Sequence, residues 1–236
     1  MKKISILFAS TFLVATSFAQ TPTIKGNNHP KDHLVVQVSS DNWLNAPDSI
    51  SGHIKNSSRG ANIYLMFEKP FESNNKLSVA FGAGIGTSNI FFNNMNVNII
   101  GTNSTLKFTA LDTSNRFNKY KLTSCFLEAP VEFRYSSNPN NISKSFKFAI
   151  GAKIGTLVSV HTKGKTLENA NNQTIQQYTE KTSSKSYFNS TKLAATARVG
   201  YGNFSIFCNY SLTPVFKDNV ATDMKLIQIG LTLSGL

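Results

Sequence analysis

After its first 19 residues the chain has no hydrophobic run long enough to cross a bilayer as a helix. A membrane-spanning helix needs about 20 consecutive, mostly apolar residues, and no stretch beyond Gln20 approaches that length. This absence excludes a helical membrane protein. Two classes remain for an exported chain: a soluble periplasmic protein, and a membrane protein that crosses with β-strands.

Cysteine and histidine are scarce, with two and four residues respectively. The two cysteines, Cys125 and Cys208, fall on predicted strands that are not neighbours in sequence. We expect them to be small apolar wall residues, with a disulfide in an oxidising compartment as the alternative. The histidines lack the close spacing of metal ligands, and no nucleophile can be paired with a base; they are His29, His33, His53 and His161. The sequence therefore predicts no metal site, no cofactor and no enzymatic activity.

Acidic residues are half as numerous as basic ones, 12 against 24, which gives a formal net charge of +12. A basic balance can indicate nucleic-acid binding, but these lysines are scattered along the sequence and no nucleic-acid-binding motif is present. We therefore expect no nucleic-acid partner. An exported basic chain meets outer-membrane lipid and anionic lipopolysaccharide first, so these are its predicted partners.

The first residues have the pattern of a cleaved signal peptide. Lys2 and Lys3 precede an apolar stretch that is too short to span a bilayer, and a small-residue exit ends at Ala19. We predict that residues 1–19 are removed. Residues 20–32 are then a flexible periplasmic leader, and residues 33–236 form one domain.

What the sequence has in abundance is alternation of apolar and polar residues. Eight segments alternate in this way: 33–43, 59–68, 77–86, 120–135, 146–158, 187–201, 203–212 and 227–233. The connections between them run long, short, long, short, long, short, long, so both ends of the domain lie on the short-turn side. Closed antiparallel barrels of the bacterial outer membrane have this sorting of loops, whereas a soluble sandwich or a lipocalin-like domain gives no reason for it. The sequence thus predicts an all-β, eight-stranded, up-and-down transmembrane barrel in the outer membrane, whose last strand pairs with its first.

One face of the third segment is apolar, and the other carries almost no side-chain atoms because it includes Gly82, Gly84 and Gly86. Such a face suits a narrow barrel interior that must leave room for large side chains on other strands. The G-x-G-x-G spacing lacks the helix and acidic residue of a dinucleotide site, so we do not interpret it as one. Two polar stretches are predicted outside the membrane: residues 92–119, which could form a hairpin, and residues 161–186, a long outer loop.

Charged residues on the inward faces of three strands are the candidate functional set. The alternation places seven of them in one lumen: Glu128, Glu132, Arg134, Lys147, Lys153, Lys192 and Arg198. Opposite charges in a low-dielectric interior must pair, and an eight-stranded interior is just filled by side chains. We therefore predict a plugged barrel whose charges satisfy one another, with a gate or weak ion path as the alternative.

The run FLEAPVEFRY, residues 126–135, resembles the Leu-Glu-x-Pro-x-x-x-Arg-Tyr strand of the PorT family of small outer-membrane barrels. The segments 81–85, 198–201 and 210–217 are similar to that family as well. This resemblance implies an eight-stranded barrel and, from the family's best-known member, a part in type IX secretion with other envelope proteins as partners. No functional residue of the family can be transferred. Two alternatives stay open: a stand-alone structural or adhesive barrel of the OmpA kind, and a narrow small-solute channel.

Overall fold

A computed structural model describes residues 34–235, and these form one antiparallel barrel with a folded outer extension. The eight strands of the barrel are β1 (Leu34–Leu44), β2 (Arg59–Phe71), β3 (Asn74–Phe92), β6 (Arg116–Ser136), β7 (Phe146–Glu168), β9 (Thr191–Tyr201), β10 (Phe204–Ser211) and β11 (Lys225–Ser234). Three further strands, β4 (Met95–Asn98), β5 (Lys107–Ala110) and β8 (Thr174–Ser183), lie outside the ring, and helix α1 (Asp48–Ser51) follows β1. The predicted signal peptide and leader fall outside the described residues.

The barrel closes where the last strand meets the first. The last strand, β11, pairs antiparallel with β1, and β6 pairs with β7, which completes the ring. Paired residues lead once around the ring from Lys69 on β2 back to β2 at Arg59, a stagger of ten residues. A stagger of this kind tilts the strands to the barrel axis, as closure of a sheet requires. The predicted fold class and the predicted closure of last strand on first are confirmed.

The outer wall of the barrel is apolar because every second residue points away from the lumen. Large side chains such as Phe67, Phe133 and Ile150 are at least half exposed on this wall. Aromatic residues gather at the short-turn end, where Phe146 packs edge-on against Tyr201 with ring centroids 5.0 Å apart. An apolar band bordered by aromatic residues is the surface that a lipid bilayer covers. No helix in residues 34–235 is long and apolar enough to cross a membrane.

Cys125 and Cys208 lie on this wall, half-buried, and both are free thiols. The preferred prediction, two wall residues, is therefore correct, and the disulfide alternative is wrong.

Pro130 interrupts one of the two ladders that β6 makes. Pairing of β3 with β6 runs from Leu77 to Phe81 and resumes at Gly84, skipping the two residues opposite Ala129 and Pro130. On the other side β6 pairs with β7 without a gap at this proline. A proline has no amide hydrogen to donate, so it is accommodated where one ladder is broken.

The outer segments are more regular than the sequence indicates. The hairpin suggested for residues 92–119 is present as β4 and β5. Residues 161–186, predicted as a loop, instead extend β7 as far as Glu168 and then form β8, which pairs back onto β7. The predicted start of the sixth segment at residue 187 is also wrong, because β9 begins only at Thr191. Tyr187 and Phe188 belong to the connection before β9, where both are buried. The sequence did not reveal β8 because this strand is exposed along almost its whole length and shows no apolar alternation.

Candidate functional site

The lumen holds the seven charged residues that the sequence places there. Six of them are buried, and Lys147, near the short-turn end of β7, is half-buried. They belong to strands β6, β7 and β9, which are neighbours in the ring, so the barrel brings their side chains to one side of the interior. Two clusters result, one around Glu128 and one around Glu132.

Glu128 is the centre of the first cluster. Its carboxylate lies 3.0 Å from Lys153 Nζ and 2.8 Å from Lys192 Nζ. Tyr64 donates its hydroxyl hydrogen to the same carboxylate at 2.5 Å, while Lys153 donates to the Tyr64 oxygen at 3.0 Å. One carboxylate thus accepts from three donors, which offsets the cost of removing these charges from water.

Room for this cluster comes from the bare face of β3. A Cβ atom at Gly86 would lie 2.8 Å from the Glu128 carboxylate, and one at Gly84 would lie 2.5 Å from the ring of Tyr64. Neither contact is tolerable, so both positions need glycine. The G-x-G-x-G stretch is therefore interior packing space for Glu128 and Tyr64.

The second cluster lies nearer the short turns. Glu132 accepts from Arg134 Nε and Arg198 Nη2, each at 2.8 Å. Arg134 also reaches Glu68 on β2 at 2.8 Å, and Ser78 donates to the other oxygen of Glu68 at 2.5 Å. Carboxylates and guanidinium groups alternate through this cluster, so each buried charge lies beside one of opposite sign.

Sequence reasoning missed two members of these clusters, Tyr64 and Glu68, and a further buried carboxylate, Asp41 on β1. Tyr64 and Glu68 fall at alternate positions of the second predicted strand, 59–68, but the sequence alone names no partner for them. Their partners depend on the register, which sets Glu68 opposite Ala80 on β3 and Ala80 opposite Glu132 on β6. The signal in the sequence was an ionisable or phenolic side chain at an inward position of an alternating strand.

A layer of amides and hydroxyls completes the interior on the side of β1 and β11. Gln37 donates to Thr232 at 3.1 Å and accepts from Asn62 at 3.1 Å. Gln228 donates to the carboxylate of Asp41 at 3.1 Å. Hydrogen-bonded side chains therefore fill the lumen at this level, as a narrow eight-stranded interior allows.

An apolar lid closes the outer mouth of the barrel. We call it the outer cap: the segments 45–58, 93–115, 169–190 and 212–224 together with the outer ends of the strands. Its core is centred on Trp43, whose ring makes edge contacts with Phe92, Phe108 and Phe216 at centroid distances of 5.7, 6.5 and 5.4 Å. Tyr187 fastens the segment after β4 by donating to the carbonyl oxygen of Gly101 at 2.5 Å.

Between this core and the Glu128 cluster lies a small cavity of about 30 Å³, which has Trp43 and Lys192 among its lining residues. That volume is enough for about one or two water molecules. Two seals, one apolar and one ionic, therefore follow each other along the lumen. Within residues 34–235 no group of three or more His, Cys, Asp or Glu side chains is placed to hold a metal ion.

A closed eight-stranded antiparallel ring, an apolar lipid-facing wall, short turns at one end and an elaborate cap at the other define an outer-membrane β-barrel protein. The sequence matches the family described as outer membrane protein beta-barrel domain over residues 33–217. The chain belongs to this family, and its location is the outer membrane.

Two solved structures are similar to the chain, both of Ail, the attachment invasion locus protein of Yersinia pestis. One, in complex with the heparin analogue sucrose octasulfate, is 15% identical with a TM-score of 0.35; the other is 16% identical with a TM-score of 0.33. In each case the match covers 85% of this chain and 94% of that one. No curated protein matches the sequence.

Proposed function

We propose that the protein is a stand-alone surface barrel that acts through its outer cap and conducts nothing through its lumen. The observation that carries this proposal is the double seal of the interior, by the core around Trp43 and by the ion pairs around Glu128 and Glu132. A solute path would have to break both seals. The small-solute channel is therefore the weakest of the three functions that the sequence left open.

The outer face offers the area for binding. Strands β6 and β7 continue well beyond the lipid-facing band, and β8 adds a third strand, exposed on both faces, at the edge of this extension. A cleft of about 240 Å³ lies between this extension and the β4–β5 hairpin. The cleft is lined by residues that include Asn96, Thr109, Phe117 and Glu180. Loops and extensions held by a rigid barrel are the usual place for recognition in proteins of this architecture. This geometry supports a structural or adhesive role.

Membership of a secretion assembly is the second candidate, and the strand that resembles the PorT family favours it. Every position of that motif has a role in the barrel: Glu128 and Arg134 form the lumen pairs, and Pro130 sits at the break in the ladder. Leu127 and Tyr135 are exposed on the lipid-facing wall. The motif thus supports shared barrel packing more directly than a shared task in secretion.

One comparison separates the two candidates: surface, secreted and periplasmic proteins from cells with and without the gene, alongside attachment of the same cells to protein-coated and glycan-coated surfaces. The adhesive role predicts reduced attachment and unchanged protein fractions. Accumulation of secreted proteins in the periplasm would overturn it and make the protein a working part of export. A strain that regains the gene from a plasmid is the control for both readouts.

A further inference from the structure

Cationic side chains that are scattered in the sequence form one continuous patch on the outer face of the barrel extension. Lys121 on β6 lies opposite Lys163 on β7, and Lys163 lies opposite Lys181 on β8. The neighbouring rung pairs Lys119 with Lys165. Together with Arg59 on β2 these residues form what we call the basic ladder. Strand register thus gathers basic residues that are tens of positions apart in the sequence.

The basic ladder lies just above the lipid-facing band. On β6 the band covers Cys125 to Tyr135. Lys121 lies four residues before Cys125, toward the outer end of the strand, and faces outward like the residues of the band. Four residues of strand cover about 13 Å, or about 10 Å of height at the tilt of such barrels. The ladder is thus at the level of lipid headgroups, on the side wall that adjoins the membrane.

Like charges directly opposite each other on a sheet are destabilising, since their Cβ atoms are only about 5 Å apart. None of the ion pairs among the described residues involves a member of the ladder. Glu180 is the nearby carboxylate on β8, but it pairs in register with Gly164 and lines the cleft on the opposite face. Burial, and then the charges of Lys163, Arg59 and Lys165, lower the pKa of Lys121, which lies above the membrane-spanning part of β6.

Part of the ladder is held in place before any ligand binds. The Phe91 ring lies between Arg59 and Lys121, whose charged groups are 5.4 and 5.6 Å from its centroid. Lys121 Nζ also donates to Asn89 Oδ1 at 2.6 Å, and that oxygen accepts from Thr123 as well. Cation–π contacts and a hydrogen-bonded amide restrict these side chains, which lowers the entropy cost of binding an anion.

We propose that the basic ladder binds phosphate groups of lipopolysaccharide in the outer leaflet, so that the barrel is tied to its own membrane by an ionic contact. Anions between the lysines would offset the repulsion within the ladder. Its place on the wall, at headgroup height and continuous with the lipid-facing surface, favours a membrane glycolipid over a soluble polyanion approaching from outside. This contact is independent of whatever the outer cap binds.

The test measures binding of fluorescently labelled lipopolysaccharide to the purified, folded full-length barrel in neutral detergent micelles. The variant K121Q/K163Q/K181Q removes three charges from the ladder. The matched control K69Q/K76Q/K144Q removes three exposed charges at the short-turn end. Two further arms use the unchanged protein with dephosphorylated lipopolysaccharide and with heparin as a soluble polyanion.

We expect the ladder variant to bind about 100-fold more weakly, because each basic side chain at an anionic membrane surface contributes about a factor of five. The control variant should bind normally, and dephosphorylated lipopolysaccharide should bind the unchanged protein as weakly as the ladder variant binds the native lipid. Without lipid the ladder variant should remain folded and unfold at higher urea, since repulsion is relieved.

Three results would overturn the proposal. If the ladder variant and the unchanged protein bind with equal affinity, the lysines do not contribute to binding. Undiminished binding of dephosphorylated lipid would show that the ladder does not bind the phosphate groups. Heparin that binds as tightly as lipopolysaccharide, with the same loss in the ladder variant, would mean that the patch serves a soluble polyanion.

Discussion

At the scale of single residues, Glu128 is the position on which the interior depends most. It is the shared partner of Lys153 and Lys192, and all three side chains are buried. Removing one partner of a buried ion pair leaves an uncompensated charge, which typically costs 3 to 5 kcal/mol. The substitution E128Q leaves two such cations in the lumen.

We therefore expect E128Q to lower the free energy of unfolding in detergent micelles by about 3 to 5 kcal/mol, measured by urea titration of the folded band on unheated gels. E72Q, in the exposed turn after β2, is the matched control and should change little. The triple variant E128Q/K153M/K192M should recover most of the loss because no lone charge remains. A triple variant as unstable as E128Q would contradict the paired-charge account.

Two isoleucines give a direct test of where lipid lies. Ile150 on β7 and Ile175 on β8 are 52% and 50% exposed, but the fold assigns the first to lipid and the second to water. An arginine at the membrane midplane of such a barrel costs about 2 to 4 kcal/mol, whereas one in water costs little.

The prediction is that I150R destabilises the barrel by about 2 to 4 kcal/mol in lipid vesicles while I175R leaves its stability nearly unchanged. Unfolding by urea in the same vesicles measures both. Similar effects at the two positions would mean that the wall around Ile150 is not covered by lipid.

At the scale of elements, alternation was enough to find all eight barrel strands because lipid and lumen impose opposite demands on successive residues. It could not find β8, whose two faces both meet water and so impose no period. The pairing of Lys121 with Lys163 could not be predicted from the sequence for another reason. It depends on the register of β6 against β7, which includes a bulge near Cys125. Inward positions could be assigned from sequence, but partners could not.

The assignment of inside and outside rests on the turns and is tested by labelling. A cysteine at Asn171, in the turn between β7 and β8, should react with a membrane-impermeant maleimide on intact cells. A cysteine at Asn140, in the turn between β6 and β7, should react only after the outer membrane is permeabilised. The unaltered chain, with Cys125 and Cys208, gives the background. The reverse pattern of labelling would mean that the barrel has the opposite orientation in the membrane.

At the scale of the whole molecule, the structure combines a lipid-facing wall, an interior filled by paired charges and an outer mouth filled by apolar side chains. The two seals differ in physical nature, since salt screens exposed charges but has little effect on buried pairs or on an apolar core. These features support the function we propose, in which the barrel presents its outer cap at the cell exterior and offers no aqueous path. The basic ladder adds a point of contact with the membrane itself.

The measurement that tests this account most directly is the conductance of the purified barrel in a planar bilayer. We expect silent membranes for the unchanged protein, even at high salt, and a folded band on unheated gels that shows the same sample is native. The variant W43A should also be silent, because the ion pairs around Glu128 and Glu132 still fill the lumen. Discrete conductance steps from the unchanged protein would contradict the sealed lumen and restore the small-solute channel.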